Sequence, residues 1–525
     1  FNCKNSGMIS LGGVIMNVYN RINLQEMKNF KYVKDKQDKS ILLIDAKCTE
    51  NKFIDSFIKV CNIRLDCAYN TEKELDTLNY SYFIIATDQD KDGWNINGLL
   101  LVLLMKWPNL VKFGRVLRLQ TPIARIKPKT VTAANCSKTL NFFTESELEK
   151  YLLTRKVPNG YVIKYYKGLG GTENLYRNDI FHNAKKYLYT FMTSEKSVEL
   201  LDAYYNKENA DKRKEELSTP LRKMHPSEVA LYAKRKIAIS TFLQIYVKDY
   251  QLDNLDRKLL KLMDGQNNVT GKLIDSYPRI YAKHNDVKVD HLASRTSDMT
   301  NYHHGVQSLW ETVFKQAQSF PGKKIYPFLI PIGQEGDRIM GGKNHGAPRY
   351  VTMDFNKRLY NAVFREEDKV LLENIRSENR EIEPKYYFPI VPLAILENYK
   401  TTAHGWKIEI WGRDPEAVFQ AISGMLSGKA PRMELPINTK AMKVDFVYDQ
   451  DEQGNKYLYS KGSYVINQYA KFDEICITEL PLGVWNKTYL DELLDEQGFL
   501  VKNEIVDPVY VDNTSDNNVC IRIKL

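Results

Sequence analysis

The segment YFIIATDQDKDGW, residues 82–94, limits the possible folds more than any other stretch of this chain. Its apolar beginning, YFIIA, is rich in β-forming residues and predicts a buried strand. Three carboxylates follow at alternate positions, namely Asp88, Asp90 and Asp92. Acids at the carboxyl end of a strand are typical of the edge at which open α/β sheets carry their chemistry.

The spelling D-x-D-x-D-G also begins a calcium-binding EF-hand loop. Such a loop follows a helix and ends in a bidentate Glu, whereas Leu99 stands at that position here. We therefore predict a Mg²⁺ site of hard oxygen ligands, with the three acids on one face of an extended backbone. The alternative is a solvated acidic turn with Gly93 as its corner.

Composition excludes several classes of protein. The chain has 525 residues, 43% hydrophobic and 27% charged, which predicts a globular protein of about three or four domains. Its longest apolar run, Leu99–Met105, is far below the ~20 residues of a membrane span, so we expect no membrane partner. Seven cysteines without a C-x-x-C pair argue against a zinc site or a disulfide framework, and a net charge of +10 favours polyanionic partners.

The pattern along the chain predicts a multidomain α/β and α+β protein. Residues 1–125 alternate strand-like and helix-like segments, which indicates an α/β sheet. The expected strands are Gly13–Val18, Tyr82–Ala86 and Arg115–Gln120, and the expected helices are Thr49–Asn62 and Gly98–Leu110. Residues 126–215 hold the motif KYYKGLGGTEN and a charged helix, 216–360 are mainly helical, and 361–525 hold short strands separated by turns.

A second candidate for chemistry is GGKNHGAPRY, residues 341–350. Its glycines allow close approach to a polyanion, and Lys343, Arg349 and Tyr350 offer positive charge and a phenol. A Tyr beside an Arg can act as a nucleophile on phosphorus, although such pairs are also common on protein surfaces. In NYHHG, His303 and His304 could donate to a phosphate, or be structural.

Taken together, these motifs resemble the type IIA DNA topoisomerases. IIATDQDKDG is similar to the acidic motif of the TOPRIM fold, and further signatures of the family follow in its order over most of the chain: KYYKGLGGT, YHHG, PIGQEGDRIMGGKNHGAPRY, EPKYYFPIVPLAI and ICITELPLGVW. AHGWKIEIWGR and the ITELPL segment resemble most the enzymes of large cytoplasmic DNA viruses such as African swine fever virus.

The resemblance implies a domain plan. Residues 1–125 would form a TOPRIM metal-binding domain, 126–215 its extension and linker, 216–360 a winged-helix domain with the catalytic Tyr, and 361–525 an incomplete tower domain. The family's ATPase domain and C-gate would lie outside this sequence, so ATP would be used by a domain that the chain does not show. A viral member would work in the host cytoplasm, in a viral factory, and any other in the nucleus.

The resemblance also implies roles for individual residues. Tyr350 would attack a DNA phosphodiester and stay joined to the 5′-phosphate, Arg349 would stabilise the developing charge, and His304, with His303 beside it, would donate toward the phosphate. Asp88, Asp90 and Asp92 would hold Mg²⁺, and the Tyr and the acids acting on one strand would come from different protomers of a homodimer. Double-stranded DNA would be contacted at Lys167, Lys343, Lys272 and Thr402.

Several departures from the family pattern leave alternatives open. Where the family carries basic residues, this chain has Gly12, Val14, Asn95, Asn97 and Gly271, and Thr402 aligns with an Ile that bends DNA. The family's metal-binding Glu is expected upstream of Phe1. A cleavage-impaired relative that binds DNA as a scaffold is therefore one alternative. A TOPRIM nuclease or primase is another, although it would have no use for Tyr350.

Overall fold

The computed structural model divides the chain into two compact units. The first consists of Phe1–Asp256 with Ala403–Trp406, and the second of Arg257–Thr402 with Lys407–Leu525. The segment predicted as one domain, 216–360, is split between them, and the predicted boundaries stay predictions. No described helix is long and apolar enough to cross a bilayer. The structure describes residues 6–26, 40–44, 46–132, 135–166, 172–260, 269–302, 304–377, 380–430, 434–438, 442–450, 454, 456–494, 498–503, 510–515 and 518–524.

The acidic segment emerges from a mixed sheet in the first unit. Val116–Leu119 pairs in parallel with Phe83–Ile85 and antiparallel with Leu188–Met192, which in turn pairs in parallel with Lys236–Ala238. The two strands predicted around Asp88 in the sequence, at 82–86 and 115–120, are therefore confirmed. An α/β arrangement with the acids after a sheet strand is what the apolar run predicted.

Smaller sheets complete the first unit. Ala124–Pro128 lies between Leu140–Phe142 and Tyr161–Tyr165, and both neighbours run antiparallel to it. Ile22–Glu26 and Ser40–Ile44 form a further antiparallel pair. These strands lie in the stretches that flank the mixed sheet in the sequence.

The helices of the first unit supply much of its core. Lys91–Leu104 is buried over Asn97–Leu104, as expected of a helix that is apolar all round. The other α-helices are Ala46–Thr49, Lys52–Cys61, Glu72–Leu75, Pro108–Lys112, Glu145–Thr154, Asn174–His182, Lys196–Tyr205, Ala210–Ser218, Pro226–Ala233, Ile239–Phe242 and Lys248–Leu255. Cys136–Lys138 and Ala184–Lys186 are 3₁₀ turns, Leu243–Val247 is a π-helical segment, and another, Asp256–Leu260, begins at the last residue of the unit's first segment.

Two predictions for this region need correction. Gly13–Val18 is not a strand but irregular backbone, because Gly12 and Gly13 have φ of 67° and 127°, outside the strand region. The helix expected at 98–110 begins earlier, at Lys91, and ends at Leu104, and a separate short helix starts at Pro108. The early start follows from Asp90, whose side chain caps the helix.

Antiparallel sheets dominate the second unit. In the sheet that precedes and follows Tyr350, Thr352–Phe355 lies between Asp286–Lys288 and Leu329–Ile332. The carboxyl-terminal sheet has the strand order Ser463–Gln468, Asp473–Glu479, Ile521–Lys524 and Tyr510–Asp512. Three antiparallel pairs add Asn374–Ser377 with Arg380–Pro384, Tyr399–Ala403 with Trp406–Ile410, and Asp445–Gln450 with Lys456–Lys461. The last pair confirms the hairpin predicted around QDEQGNK.

Helices of the second unit are concentrated before residue 320. Val269–Tyr281, Val289–Met299 and Val306–Ala317 share a core with the strand after Tyr350. The later α-helices are Lys357–Val363, Leu393–Leu396, Pro415–Leu426, Asn486–Tyr489 and Phe499–Lys502, with a 3₁₀ helix at Glu366–Leu371 and a π-helical segment at Leu490–Leu494. The mainly helical character predicted for the stretch before Tyr350 and the α+β character predicted for 361–525 are therefore confirmed.

A buried ion pair ties the first of these helices to a strand. Lys272 Nζ lies 2.8 Å from the Glu383 carboxylate and donates to the Thr300 carbonyl at 3.1 Å. Burial raises the pKa of the Glu383 carboxyl and lowers the pKa of the Lys272 amine, and the attraction between the two charges opposes both shifts. The pair therefore depends on both partners being present.

We expect Glu383→Leu to lower the free energy of unfolding by about 3–5 kcal/mol, because it leaves the Lys272 ammonium buried without its counter-charge. Urea denaturation measures the loss. The double variant Lys272→Met/Glu383→Leu removes both charges and should recover most of the stability. A double variant as unstable as the single one would contradict this explanation.

A second prediction concerns acid stability. Glu228 accepts a bidentate pair of hydrogen bonds from Arg222 at 2.7 and 2.8 Å and another from Thr241. The Arg222 hydrogen bonds, joined by those from Thr241 and the His225 amide, lower the pKa of Glu228 to about 2. An unfolded Glu titrates near pH ~4.3, so this contribution is complete above that pH and is lost as the pH falls toward about 2.

Glu228→Gln should therefore reduce the slope of melting temperature against pH below about pH 4.5, relative to the unmodified protein. Thermal melts over a series of acidic buffers measure the slope. Glu149→Gln, which removes an exposed carboxylate from another helix of the same unit, is the control. Equal slopes for the Glu228 variant and the unmodified protein would refute the assignment.

Candidate functional site

The acidic segment is a strand-to-helix turn. Phe83–Ile85 ends, Thr87 is buried, and the helix Lys91–Leu104 begins two residues after Gln89. Asp90 is the N-cap residue, and its Oδ1 accepts a hydrogen bond from the Gly93 amide at 2.7 Å. Asp92 lies in the first helical turn, where the helix dipole stabilises a negative charge.

Gly93 is required by the tightness of this turn. A Cβ atom at position 93 would lie 2.1 Å from the Asp88 carbonyl oxygen, a distance that no side chain tolerates. The alternate spacing of the acids consequently does not act through extended backbone. The prediction that they share one face of a strand is wrong, because the helix has already begun at Lys91.

The residues present fit a Mg²⁺ ion only in part. Carboxylate oxygens are the hard ligands that Mg²⁺ prefers, often as one or two carboxylates with waters and phosphate oxygens. Asp88 is exposed and Asp92 half-buried, but one oxygen of Asp90 caps the helix. Within the described ranges, no group of three or more His, Cys, Asp or Glu side chains is arranged to hold a metal. Asp88 and Asp92 are therefore the better candidates.

Gln89 and Arg118 support the acidic turn, and sequence reasoning missed them. Gln89 Nε2 donates to the carbonyls of Thr87 at 3.0 Å and Leu119 at 3.3 Å, while its Oε1 accepts from Arg118 at 2.9 Å. Arg118 is buried, and its guanidinium carbon lies 5.1 and 5.0 Å from the ring centres of Phe242 and Tyr246. A cation held by aromatic faces thus fixes the residue between Asp88 and Asp90.

In the second unit, Tyr350 stands on an exposed turn. Its amide donates to the Ala347 carbonyl at 2.8 Å, and its side chain is 72% exposed. The Arg349 guanidinium carbon lies 4.9 Å from the centre of the phenol ring. The chain then enters the central strand Thr352–Phe355, so the turn is carried by a sheet. An exposed phenol beside a cation can approach an external phosphate.

The loop before Tyr350 is held by internal hydrogen bonds. Asp337 accepts from the Asn344 side chain at 2.6 Å and from the Met340 amide at 2.9 Å. Gln318 donates to the carbonyls of Glu335 at 2.8 Å and Gly342 at 2.9 Å. These bonds close GQEGDRIMGGKN into a compact unit rather than a free loop.

A buried ion pair anchors the same loop from a distant part of the sequence. Arg338 donates to Glu479, and both side chains are buried. Glu479 also accepts from the amides of Leu480 at 3.0 Å and Lys443 at 3.2 Å. Glu479 belongs to ITELPLGVW, whose Trp485 packs on Gly341 so closely that a Cβ there would lie 2.5 Å from the ring. No local sequence signal could pair these residues.

The two predicted histidines differ in what is known of them. His304 is half-buried, and its ring centre lies 5.6 Å from that of the buried Tyr302. His303 falls outside the described residues. A pre-formed contact between His304 and Tyr350 is not among the contacts of the described residues, so its role stays a prediction.

The predicted DNA contacts lie in different surroundings. Lys343 is exposed in the loop before Tyr350, and Thr402 is exposed on the strand Tyr399–Ala403. Lys272 is buried on Glu383, so its ammonium is not presented to a duplex in this structure. Lys167 falls outside the described residues, although the residue before it, Tyr166, donates to Glu173 at 2.7 Å.

The structure thus assembles two partial sites. Asp88, Asp90 and Asp92 belong to the first unit, while Tyr350 and Arg349 belong to the second together with His304 and Lys343. Each part has its own rigid support, through Arg118 in one unit and through Glu479 in the other.

Two protein-family models match the chain. The model for DNA gyrase and topoisomerase IV matches residues 257–525, more than half of the sequence. The model described as the C-terminal associated domain of TOPRIM matches residues 119–254. Both matches fall on the regions that the motifs singled out.

Relatives and a solved structure agree with the family models. DNA topoisomerase 2 of African swine fever virus (isolate Pig/Kenya/KEN-50/1950) is 30% identical over 533 residues, covering 99% of this chain and 43% of the relative. DNA topoisomerase 2 of Bombyx mori is 29% identical over 476 residues, covering 88% of this chain and 29% of the relative. The chain therefore spans less than half the length of these relatives.

The solved DNA-binding, cleavage and re-ligation domain of Plasmodium falciparum topoisomerase II has a similar fold. Its TM-score is 0.69 at 24% identity, over 98% of this chain and 64% of that one. With a mixed α/β architecture and a family model that matches more than half of the sequence, the chain belongs to the type IIA DNA topoisomerases.

Proposed function

We propose that this chain is the DNA cleavage and religation core of an ATP-dependent type II topoisomerase that acts on duplex DNA as a homodimer. The observation that carries the proposal is the turn at Tyr350. A phenol that is 72% exposed stands beside the Arg349 guanidinium at the end of a loop fixed by Asp337, Gln318 and Arg338. Rigid placement of an exposed nucleophile is what attack on an external phosphate requires.

In the proposed reaction, Tyr350 Oη attacks the phosphorus of a DNA phosphodiester. The new bond joins Oη to the 5′-phosphate, and the bond from phosphorus to the 3′-oxygen breaks. The phenolic proton is lost to solvent, and the departing 3′-oxygen takes up a proton. Because one phosphodiester replaces another, the reverse attack by the 3′-hydroxyl restores the strand without an external energy source.

Charged residues of the chain would stabilise this step. The Arg349 guanidinium offsets the negative charge that develops on the phosphate oxygens, and His304 donates a hydrogen bond toward them. Mg²⁺, held by Asp88 and Asp92 with one oxygen of Asp90, would supply further positive charge when bound. We propose that the acids and the tyrosine acting on one strand come from different protomers.

One observation favours the cleavage-impaired alternative. The described residues contain no arrangement of three acids suited to a metal, and Asp90 is engaged as a helix cap. A scaffold protein would keep duplex binding and lose the covalent step. The covalent adduct therefore separates the two functions.

We expect the protein to form a covalent adduct with duplex DNA in the presence of Mg²⁺, trapped by denaturant, and Tyr350→Phe to abolish it because the phenolic oxygen is the attacking atom. Gel mobility of end-labelled DNA after denaturation measures the adduct. Tyr448→Phe is the matched control, since Tyr448 is 67% exposed in the same unit and should leave the adduct unchanged.

The possible outcomes assign the function. An adduct that persists in the Tyr350 variant would exclude this tyrosine. Duplex binding without any adduct in the unmodified protein would favour the scaffold. Cleaved DNA with free 5′-phosphate ends and no attached protein would favour a nuclease.

Glu479→Gln tests the support of the nucleophile. The change keeps the side-chain shape but leaves the Arg338 guanidinium buried without a counter-charge, so the loop before Tyr350 should shift. We expect the single-turnover rate of adduct formation to fall roughly 10- to 100-fold, because small displacements of a nucleophile are costly. Duplex affinity should change much less.

The control for this variant is Glu474→Gln, on the same strand, where the side chain accepts from Asn467. Hydrogen exchange of residues 335–346 should rise in the Glu479 variant alone. The double variant Arg338→Met/Glu479→Leu should restore protection and part of the rate. An unchanged rate in Glu479→Gln would show that the pair does not position Tyr350.

A further inference from the structure

Three lysines lie together beside the loop that leads to Tyr350. Lys315 is in the last turn of the helix Val306–Ala317, Lys323 is in the turn that follows, and Lys343 is in the loop itself. Their neighbour Lys324 is paired with Glu397. In the part of the chain that the structure describes, none of the three has a carboxylate within ion-pair distance.

Backbone hydrogen bonds bring the turn and the loop together. The amides of Lys323 and Lys324 donate to the carbonyls of Phe320 at 3.0 Å and Gln318 at 3.1 Å, which closes the turn. The Gln318 side chain then donates to the Gly342 carbonyl at 2.9 Å. Lys323 and Lys343 are thus held on two segments joined directly by a buried amide.

Aromatic contacts fix the positions of the lysines. The Lys323 ammonium lies 5.1 Å from the ring centre of Trp485, and the same ring packs on Gly341. Phe314, the residue before Lys315, stacks on the His345 ring with centres 3.7 Å apart. Each of the other lysines therefore sits next to a residue whose ring covers the loop within two positions of Lys343.

The cluster is electrostatically unfavourable as it stands. Burial lowers the pKa of Lys323, and the ammonium groups of Lys315 and Lys343 lower it further. Like charges placed together without a counter-charge cost free energy, and a bound polyanion removes that cost. Lys315 and Lys343 are exposed, so the charge is accessible from solvent.

We propose that Lys315, Lys323 and Lys343 form a binding site for the phosphodiester backbone of duplex DNA. This inference rests on the proposed function and adds two residues that no family motif marks. Ammonium groups on phosphates position a duplex without reading its sequence. The site would also replace cations that the chain lacks at Gly12, Val14, Asn95, Asn97 and Gly271.

The test is the salt dependence of duplex binding, measured by fluorescence anisotropy with the whole chain. Tyr350→Phe serves as the parent so that binding is measured without cleavage. Each lysine-to-glutamine change should lower the slope of log K against log salt by about 0.9, and the triple change by about two to three. Lys369→Gln is the matched control, because the Lys369 charge is already paired with Glu366 at 2.7 Å.

A second measurement does not depend on variants. Acylation of lysine amines, mapped by mass spectrometry with and without duplex, should show protection of the three lysines and none of Lys369. A parent that binds no duplex would defeat the proposed function itself. A parent that binds duplex while the triple variant keeps its slope, or the three lysines stay reactive, would defeat only this inference.

Discussion

The buried ion pair between Arg338 and Glu479 is the interaction on which the nucleophile's surroundings depend. It joins residues 141 positions apart and fixes the loop that ends at Tyr350. A buried pair of this kind contributes little net stability relative to apolar packing, because both charges must be desolvated. Its effect is on geometry, since any arrangement that separates the two groups leaves a buried charge alone. The loop is thereby restricted to positions in which Arg338 meets Glu479.

The acidic turn of the first unit is held in a related way, but with a different counterpart. Arg118 is buried over two aromatic rings and reaches the turn through the neutral amide of Gln89. An amide can orient the backbone between Asp88 and Asp90 without cancelling a negative charge. An arginine bonded directly to an aspartate would give the same rigidity at the expense of the charge that a metal needs. The support therefore suits a turn whose acids are to remain anionic.

Local signals in the sequence predicted local structure well. The apolar run before Asp88, the N-cap residues and the turn residues of QDEQGNK indicated strands, a helix start and a hairpin that the structure contains. The failures come from interactions between distant residues. Gly13–Val18 is apolar because Ile15 and Val18 are buried, not because it pairs in a sheet. Lys272 resembles a surface cation until Glu383, 111 residues later, is placed against it.

The same distinction bears on the basic residues that the family motifs lack here. Affinity for a phosphate backbone depends on how many cations lie along its path, and hardly on which element carries each one. Lysines can therefore be lost from one segment and gained in another without loss of binding, provided that they converge in space. Lys315 and Lys323 precede Lys343 by 28 and 20 positions in the sequence, yet Gln318, Trp485 and His345 bring their segments together. Missing motif cations are for this reason weak support for a scaffold role, whereas loss of Tyr350 or its rigid loop would be strong support.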